Sequence, residues 1–353
     1  MRDSNQFKNM FIEYHILQSF PVTCLNRDDV GAPKSAIIGG TPRARVSSQC
    51  WKRQVRMQLH ELGVTIGSRT KLISKMLADT CLQYGATDEQ AIEFGEHVAT
   101  LFTDKVDKGQ SDTLMFISSK EAHALCSMYK NADFALDQVI DKELTKVMKA
   151  NLCTAYDGLD LALFGRMVAK DSSLGVEAAC SFSHAISTHK VVSEIDFFTA
   201  LDDLTMNMGA AHMGSLEFNS GTYYRYVSLN LGQLYESLSG EGLDKAVEAF
   251  TKALYLAVPE ARQNTQSGAS LWDFARIYVR KGQRLQVPFE TAVKAKEGGF
   301  LGASIDAMTE YLDKKEKLSG SLFGCIEKMD FGLDEDFSID DVIAKLIANT
   351  KES

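Results

Sequence analysis

Residues 11–20 read FIEYHILQSF, and the way apolar and polar side chains take turns along them points to the fold class. Successive side chains of an extended chain project to opposite faces, so this run predicts the first strand of a sheet. TYYRYVSLNLGQL (222–234) returns to the same alternation, with Tyr223, Val227, Leu229 and Leu231 expected on one buried side. Between them, from about 60 to 180, TKLISKMLADTCLQY, DEQAIEFGEHVATLFTD, KEAHALCSMYKN and DQVIDKELTKVMKANLCTAYDGLDLALFGRM keep the helical period. GLDKAVEAFTKALYLAV (242–258) predicts a further amphipathic helix through Leu243, Val247, Phe250, Leu254 and Ala257. The fold class is α+β, a sheet-based domain interrupted by a helical insertion.

The segment after the first strand, CLNRDDVGAPKSAIIGGTPRARVSS, reads as a loop punctuated by Pro33, Gly39, Gly40 and Pro42. Ser47 and Ser48 stand where a helix N-cap belongs, ahead of QCWKRQVRMQLHELG. On that helix Trp51, Val55, Leu59 and Leu62 share one face, while Gln49, Lys52, Arg53 and Arg56 lie on the other. Residues 27–56 carry seven cations (Arg27, Lys34, Arg43, Arg45, Lys52, Arg53, Arg56) against two acids (Asp28, Asp29), a net +5 in a chain of net charge −9. Glycines that let backbone amides approach an anion, a helix N-terminus and a run of Arg and Lys together point to phosphate contact.

Composition sets the limits. At 353 residues, 45% hydrophobic and 24% charged, the chain has room for sizeable cores and reads as a soluble globular protein. No apolar run reaches the ~18 residues of a membrane span. The N-terminal MRDSNQFKNM lacks a signal-peptide core. Seven scattered cysteines show no zinc spacing, so reduced and mostly buried thiols in the cytoplasm are expected. An isoelectric point near 5.4 argues against indiscriminate nucleic-acid binding but leaves a local basic track open.

Other constellations are weaker. His184, His189 and His212, near Asp196, Asp202 and Asp203, lack zincin spacing and read as ordinary hydrogen-bonded histidines; no P-loop, GxGxxG or GxSxG is present. The Phe197–Phe198 pair in IDFFTALDD (195–203) could stack on bases, although core packing is the commoner reason for such pairs. Met167 likewise reads as core. Leu136, Ile140, Leu144, Val147 and Leu152 suggest one apolar stripe, with Lys142, Lys146 and Lys149 standing off it on a shared face.

Taken in order, CLNRDD, AIIGG, R-x-R-V-SSQ-x-x-KR, GRM, SHAISTH, EIDFFTALDDL, AHMGSLEFNSGTYYRY and VPFETAVKAK closely resemble the CasC family. That family is the backbone subunit of Cascade, the type I-E CRISPR surveillance complex, and the resemblance runs from about Met10 to the acidic tail. It implies a right-handed shape with an RRM-like (ferredoxin-like) palm (1–58 and 222–353), helical fingers (59–180), and a thumb hairpin with its flanking segments (181–221). It also implies a non-catalytic role, with no cofactor and no metal. Copies of the subunit would line up head to tail on a CRISPR guide RNA beside other Cascade subunits, holding the guide in segments that pair with target DNA.

The resemblance places Arg27, Lys34, Ser47, Gln49, Lys52 and Arg56 on the guide backbone, within the track that also holds Arg43, Arg45 and Arg53. It places Met167, Phe198 and Thr199 at a displaced nucleotide, and Lys142, Lys146 and Lys149 along duplex DNA. Phe197–Phe198 stands where the family shows Trp-Phe. The rival reading is a metal-dependent RNase using Asp196, Asp202 and Asp203, as in related type III backbone subunits. The type I-E motifs argue against it.

Overall fold

The computed structural model describes residues 5–103, 106–107, 110–168, 170–200 and 212–351. Strand β1 (Met10–Thr23) leads into a hairpin of β2 (Ser35–Ile38) and β3 (Thr41–Val46), then helix α1 (Ser48–Glu61). A helical lobe follows, built from α2 (Ile73–Gln83), α3 (Asp88–Ala99), α4 (Ser119–Asn131), α5 (Asp141–Ala150) and α6 (Leu159–Phe164). Short strands lace it: β4 (Ser68–Thr70), β5 (Val106–Asp107), β6 (Gln110–Ser111) and β7 (Met115–Ile117).

The chain returns to the main sheet through β8 (Cys180–Phe182) and β9 (Ala185–Ser187), then forms β10 (Glu194–Ala200) and the 19-residue β11 (His212–Asn230). Helices α7 (Leu231–Ser237), α8 (Leu243–Leu256) and α9 (Gln263–Gln266) precede β12 (Phe274–Lys281). Helix α10 (Leu301–Ser319), strand β13 (Cys325–Phe331) and helix α11 (Ile339–Ala348) complete the described elements.

The main sheet runs β13-β12-β1-β11-β9-β3-β2, with β8 and β10 also pairing to β11, and its neighbours are antiparallel. On one face Ile12, Tyr14, Ile16, Val227 and Leu229 pack with Val55 and Leu59 of α1 and with Leu243, Val247, Phe250 and Leu254 of α8. This bears out the amphipathic reading of 242–258; each such side chain contributes roughly 1.5–3 kcal/mol by leaving water. On the opposite face Leu17, Tyr224, Tyr226 and Tyr278 pack with Met308 and Leu312 of α10. The helical lobe has a core of its own around Leu77, Phe94, Leu125 and Tyr129.

The strand expected at 11–20 is present, and both of its faces are covered, so even its polar members are buried: Glu13, His15 and Gln18 are at most 1% exposed. Tyrosine, arginine and backbone groups bond most of their polar atoms; His15 Nε2 is buried without a partner. Glu13 accepts from Tyr226, Arg280 and the Leu285 N–H, and His15 Nδ1 lies 2.9 Å from the Tyr224 hydroxyl. The expected loop at 24–48 contains the β2–β3 hairpin, and Gly39 and Gly40 (φ 56° and 71°) form its two-residue turn, a backbone shape open to glycine. Leu62 is half-exposed because α1 has ended. Ile140 is exposed because Asp133 and Phe134, both at positive φ, break the helical phase before α5 begins.

Candidate nucleic-acid interface

The cations of 27–56 divide into two groups once folded. Arg43 leaves the surface entirely: its guanidinium is buried and donates to the carbonyls of Ser187 and Thr188 at 2.9 Å and of Phe289 at 3.1 Å. It ties β3 to β9 and to the 289 turn, so its predicted place in the phosphate track is corrected to a structural one. Arg56 is likewise engaged. It pairs with buried Asp160 at 2.6 Å, donates to the Gly67 carbonyl and lies over the Phe116 ring, fastening α1 to the helical lobe. Ser47 is buried and caps α1 by accepting from the Cys50 N–H at 3.2 Å.

The other group faces outward. Arg27, Gln49 and Arg53 are exposed, and Lys34, Arg45 and Lys52 are half-buried. Arg27 and Lys34 flank a tight turn in which Asp28 accepts from the N–H groups of Val30 and Ala32, so that acid is engaged locally. Lys34 N–H bonds the Asn26 carbonyl at 2.8 Å, and Asn26 Oδ1 accepts from the Ser47 N–H at 2.9 Å, fixing the turn beside the start of α1. Arg53 makes a 3.4 Å pair with Glu260, both more than half-exposed, which holds it weakly. Lys52 Nζ sits 5.9 Å from the Phe182 ring centre. Burial raises the Cys50 thiol pKa, and the nearby charges of Arg53 and Lys34 oppose that rise.

A residue the sequence reading set aside belongs to this cluster. His184 is exposed and its Nδ1 accepts from the Ser48 N–H at 3.0 Å, filling one of the open donors of the helix start. His189, by contrast, is fully engaged: Nδ1 donates to the Lys190 carbonyl, Nε2 accepts from the Thr222 N–H, and the ring stacks on Phe300 at 3.6 Å. Among the described residues no group of three His, Cys, Asp or Glu side chains is placed to hold a metal ion. Asp202 and Asp203 lie outside the described residues, as does the side chain of His212.

The strip adjoins the root of an arm. From the β3 side, Val191 N–H bonds the Pro42 carbonyl, and the chain then enters β10, which pairs with β11 from Glu194↔Phe218 to Ala200↔His212. Ile195, Phe197 and Met213 crowd one face of this two-stranded ribbon at 71%, 64% and 62% exposure, with Thr199 beside them. Phe198 points the other way and lies half-buried across Gly214, where a Cβ would stand 2.7 Å from the ring. The pair is not core. The period-2 spacing of Ile195 and Phe197 held that signal.

Met167 is corrected as well: it is 93% exposed. Gly165 (φ 79°, ψ 167°) takes a turn reserved for glycine, and Arg166 is drawn inward to Glu121 and to the carbonyls of Phe116 and Leu174. With its neighbour anchored inside, Met167 is thrown into solvent. Lys142, Lys146 and Lys149 are exposed on α5 and, with Lys170, line a hollow of about 550 Å³. Lys146 pairs with Glu143 at 2.6 Å across one helical turn.

The described residues thus form an antiparallel sheet that carries a helical lobe, a two-stranded arm with an exposed apolar face, and a cationic strip about the start of α1. The chain belongs to the CT1975-like protein family, whose model matches residues 12–330. Over 97% of its length, and all of the other chain's, it is similar to a solved chain described as "CRISPR RNA-guided surveillance complex, pre-nicking", at 26% identity and a TM-score of 0.81. A second, described as "CRISPR RNA-guided surveillance complex", shares the fold at 23% identity and a TM-score of 0.71, covering 96% of this chain and 99% of that one. A search of curated proteins found no match. The resemblance to a CRISPR-complex subunit read from the motifs agrees with the family and with these structures.

Proposed function

We propose that this chain is a non-catalytic backbone subunit that lines up head to tail on a CRISPR guide RNA within a cytoplasmic type I-E Cascade complex. In that role it holds the guide in segments for pairing with target DNA. One observation carries the reading. The outward cations Arg27, Lys34, Arg45, Lys52 and Arg53 gather about the start of α1, on a fold that matches, over 97% of this chain, a chain of a CRISPR RNA-guided surveillance complex. Contacts of Arg and Lys with phosphates position a strand without reading its bases, so any guide sequence is accepted and base pairing supplies the specificity. Met167 from the helical lobe and the Phe198 side of the arm are the side chains proposed to flank a displaced nucleotide. The lysines of α5 are proposed to lie along target duplex. The RRM-like reading of the palm rests on the order β12-β1-β11-β9, with α1 and α8 packed on one face.

Native mass spectrometry of the protein co-expressed with guide RNAs of two lengths tests the proposal. Copy number is expected to rise with guide length, and Arg45→Ala/Lys52→Ala to lose RNA while keeping its fold. A wild-type monomer free of RNA would sink the reading. An Asp196-dependent cleavage product from magnesium and paired RNA would replace it with the RNase reading.

A further inference from the structure

The structure gives His184 a fixed tautomer. A ring nitrogen that accepts a hydrogen bond carries no proton, and Nδ1 accepts from the Ser48 N–H at 3.0 Å, so the neutral imidazole holds its proton on Nε2. The ladder fixes this geometry: Val46 pairs with Ala185 and Arg45 with Ile186, which sets His184 against the first residue of α1. The side chain is exposed, so the Nε2–H is presented outward. Around it stand Arg45 of β3, Lys34 just before β2 and Ser48 of the helix start. Partial burial, then the charges of Arg45 and Lys34, lower the pKa of the ring. Protonation would also place an N–H against the Ser48 N–H, so the cap and the neighbouring cations both keep the ring neutral.

We infer that His184 is a further guide-strand contact, an uncharged donor whose Nε2–H bonds a phosphate oxygen of the RNA passing over the start of α1. This rests on the proposed function. The contact differs from those of Arg45 and Lys52 in kind. A cation releases counterions and steepens the dependence of affinity on salt, whereas a neutral donor adds affinity without changing that slope. It also explains how a helix start whose cap is already filled still offers a donor: the ring takes the Ser48 N–H on one nitrogen and presents a proton of its own on the other.

The test measures binding of a short fluorescent single-stranded RNA by anisotropy across a salt series, with melting temperature as a control. Asn at 184 can accept from Ser48 but reaches no farther; Gln places an N–H near the outer nitrogen. His184→Asn is expected to bind roughly five- to tenfold more weakly, the worth of one hydrogen bond, with an unchanged salt slope and melting temperature. His184→Gln is expected to recover most of that loss, and Lys52→Ala to lower the slope by about one. If Lys52→Ala weakens binding while His184→Asn binds like wild type, the inference fails and the proposed function stands. A lower slope in His184→Asn also overturns it, because the ring would then act as a cation. If wild type binds no RNA, both readings fall.

Discussion

At the scale of single residues, neighbours in sequence that carry the same charge do different work. Arg43 and Arg45 are two apart and share one face of β3, yet Arg43 is fully buried while Arg45 is only half-buried. Removing Arg43 leaves several buried carbonyls without donors, each costing about 1–3 kcal/mol. Arg43→Ala is therefore expected to lower stability by about 3 kcal/mol or more in urea unfolding; a stable variant with weak RNA binding would return Arg43 to the surface track. Met167→Ala should behave in the opposite way. At 93% exposure the side chain adds nothing to the core, so stability should stay within about 0.5 kcal/mol of wild type. A 2-aminopurine placed at the displaced guide position should then report less unstacking. Neither behaviour was legible from residue type, because burial of an arginine depends on carbonyls 144–247 positions away along the chain.

At the scale of elements, periodicity served well wherever one face met one partner. Helix α8 reads cleanly because its apolar stripe packs on the sheet and its other face meets water. Alternation marks strand β1 but not that its polar face is covered, since the covering helix α10 begins 278 residues after Thr23, beyond the reach of any local pattern. The Gly-Gly pair was seen as punctuation and assigned to a phosphate loop; its work is to turn a hairpin. Gly165 offers the sharper test. A Cβ there would meet the Val176 carbonyl oxygen at 2.8 Å, on a backbone shape other residues avoid. Gly165→Ala should cost about 1–3 kcal/mol and shift the turn that aims Met167, so calorimetry and the aminopurine signal should fall together. Loss of one without the other would separate the turn from the side chain it presents.

At the scale of the whole molecule, the sheet centre is a polar network sealed between two layers, and it makes the fold sensitive to acid. His15 is held neutral, its pKa lowered to about 3 by burial and by the nearby charges of Arg280 and Arg276. Unfolded, the ring takes up a proton near pH 6.5, so the contribution is complete above that pH and lost as pH falls towards 3. The expected slope from this group is about 1.4 kcal/mol per pH unit, and His15→Asn should flatten the curve of stability against pH by one proton. An unchanged curve would assign the acid sensitivity elsewhere. The same sheet has a mechanical side. Strand β11 pairs with β10 through Phe218 and with β1 from Asn219 onward, so one covalent strand leaves the sheet centre and becomes the arm. Its 19 residues span roughly 60 Å. The rungs joining it to β1 run across the strand axis, so a pull along the arm loads them together, in shear, instead of peeling them open one at a time.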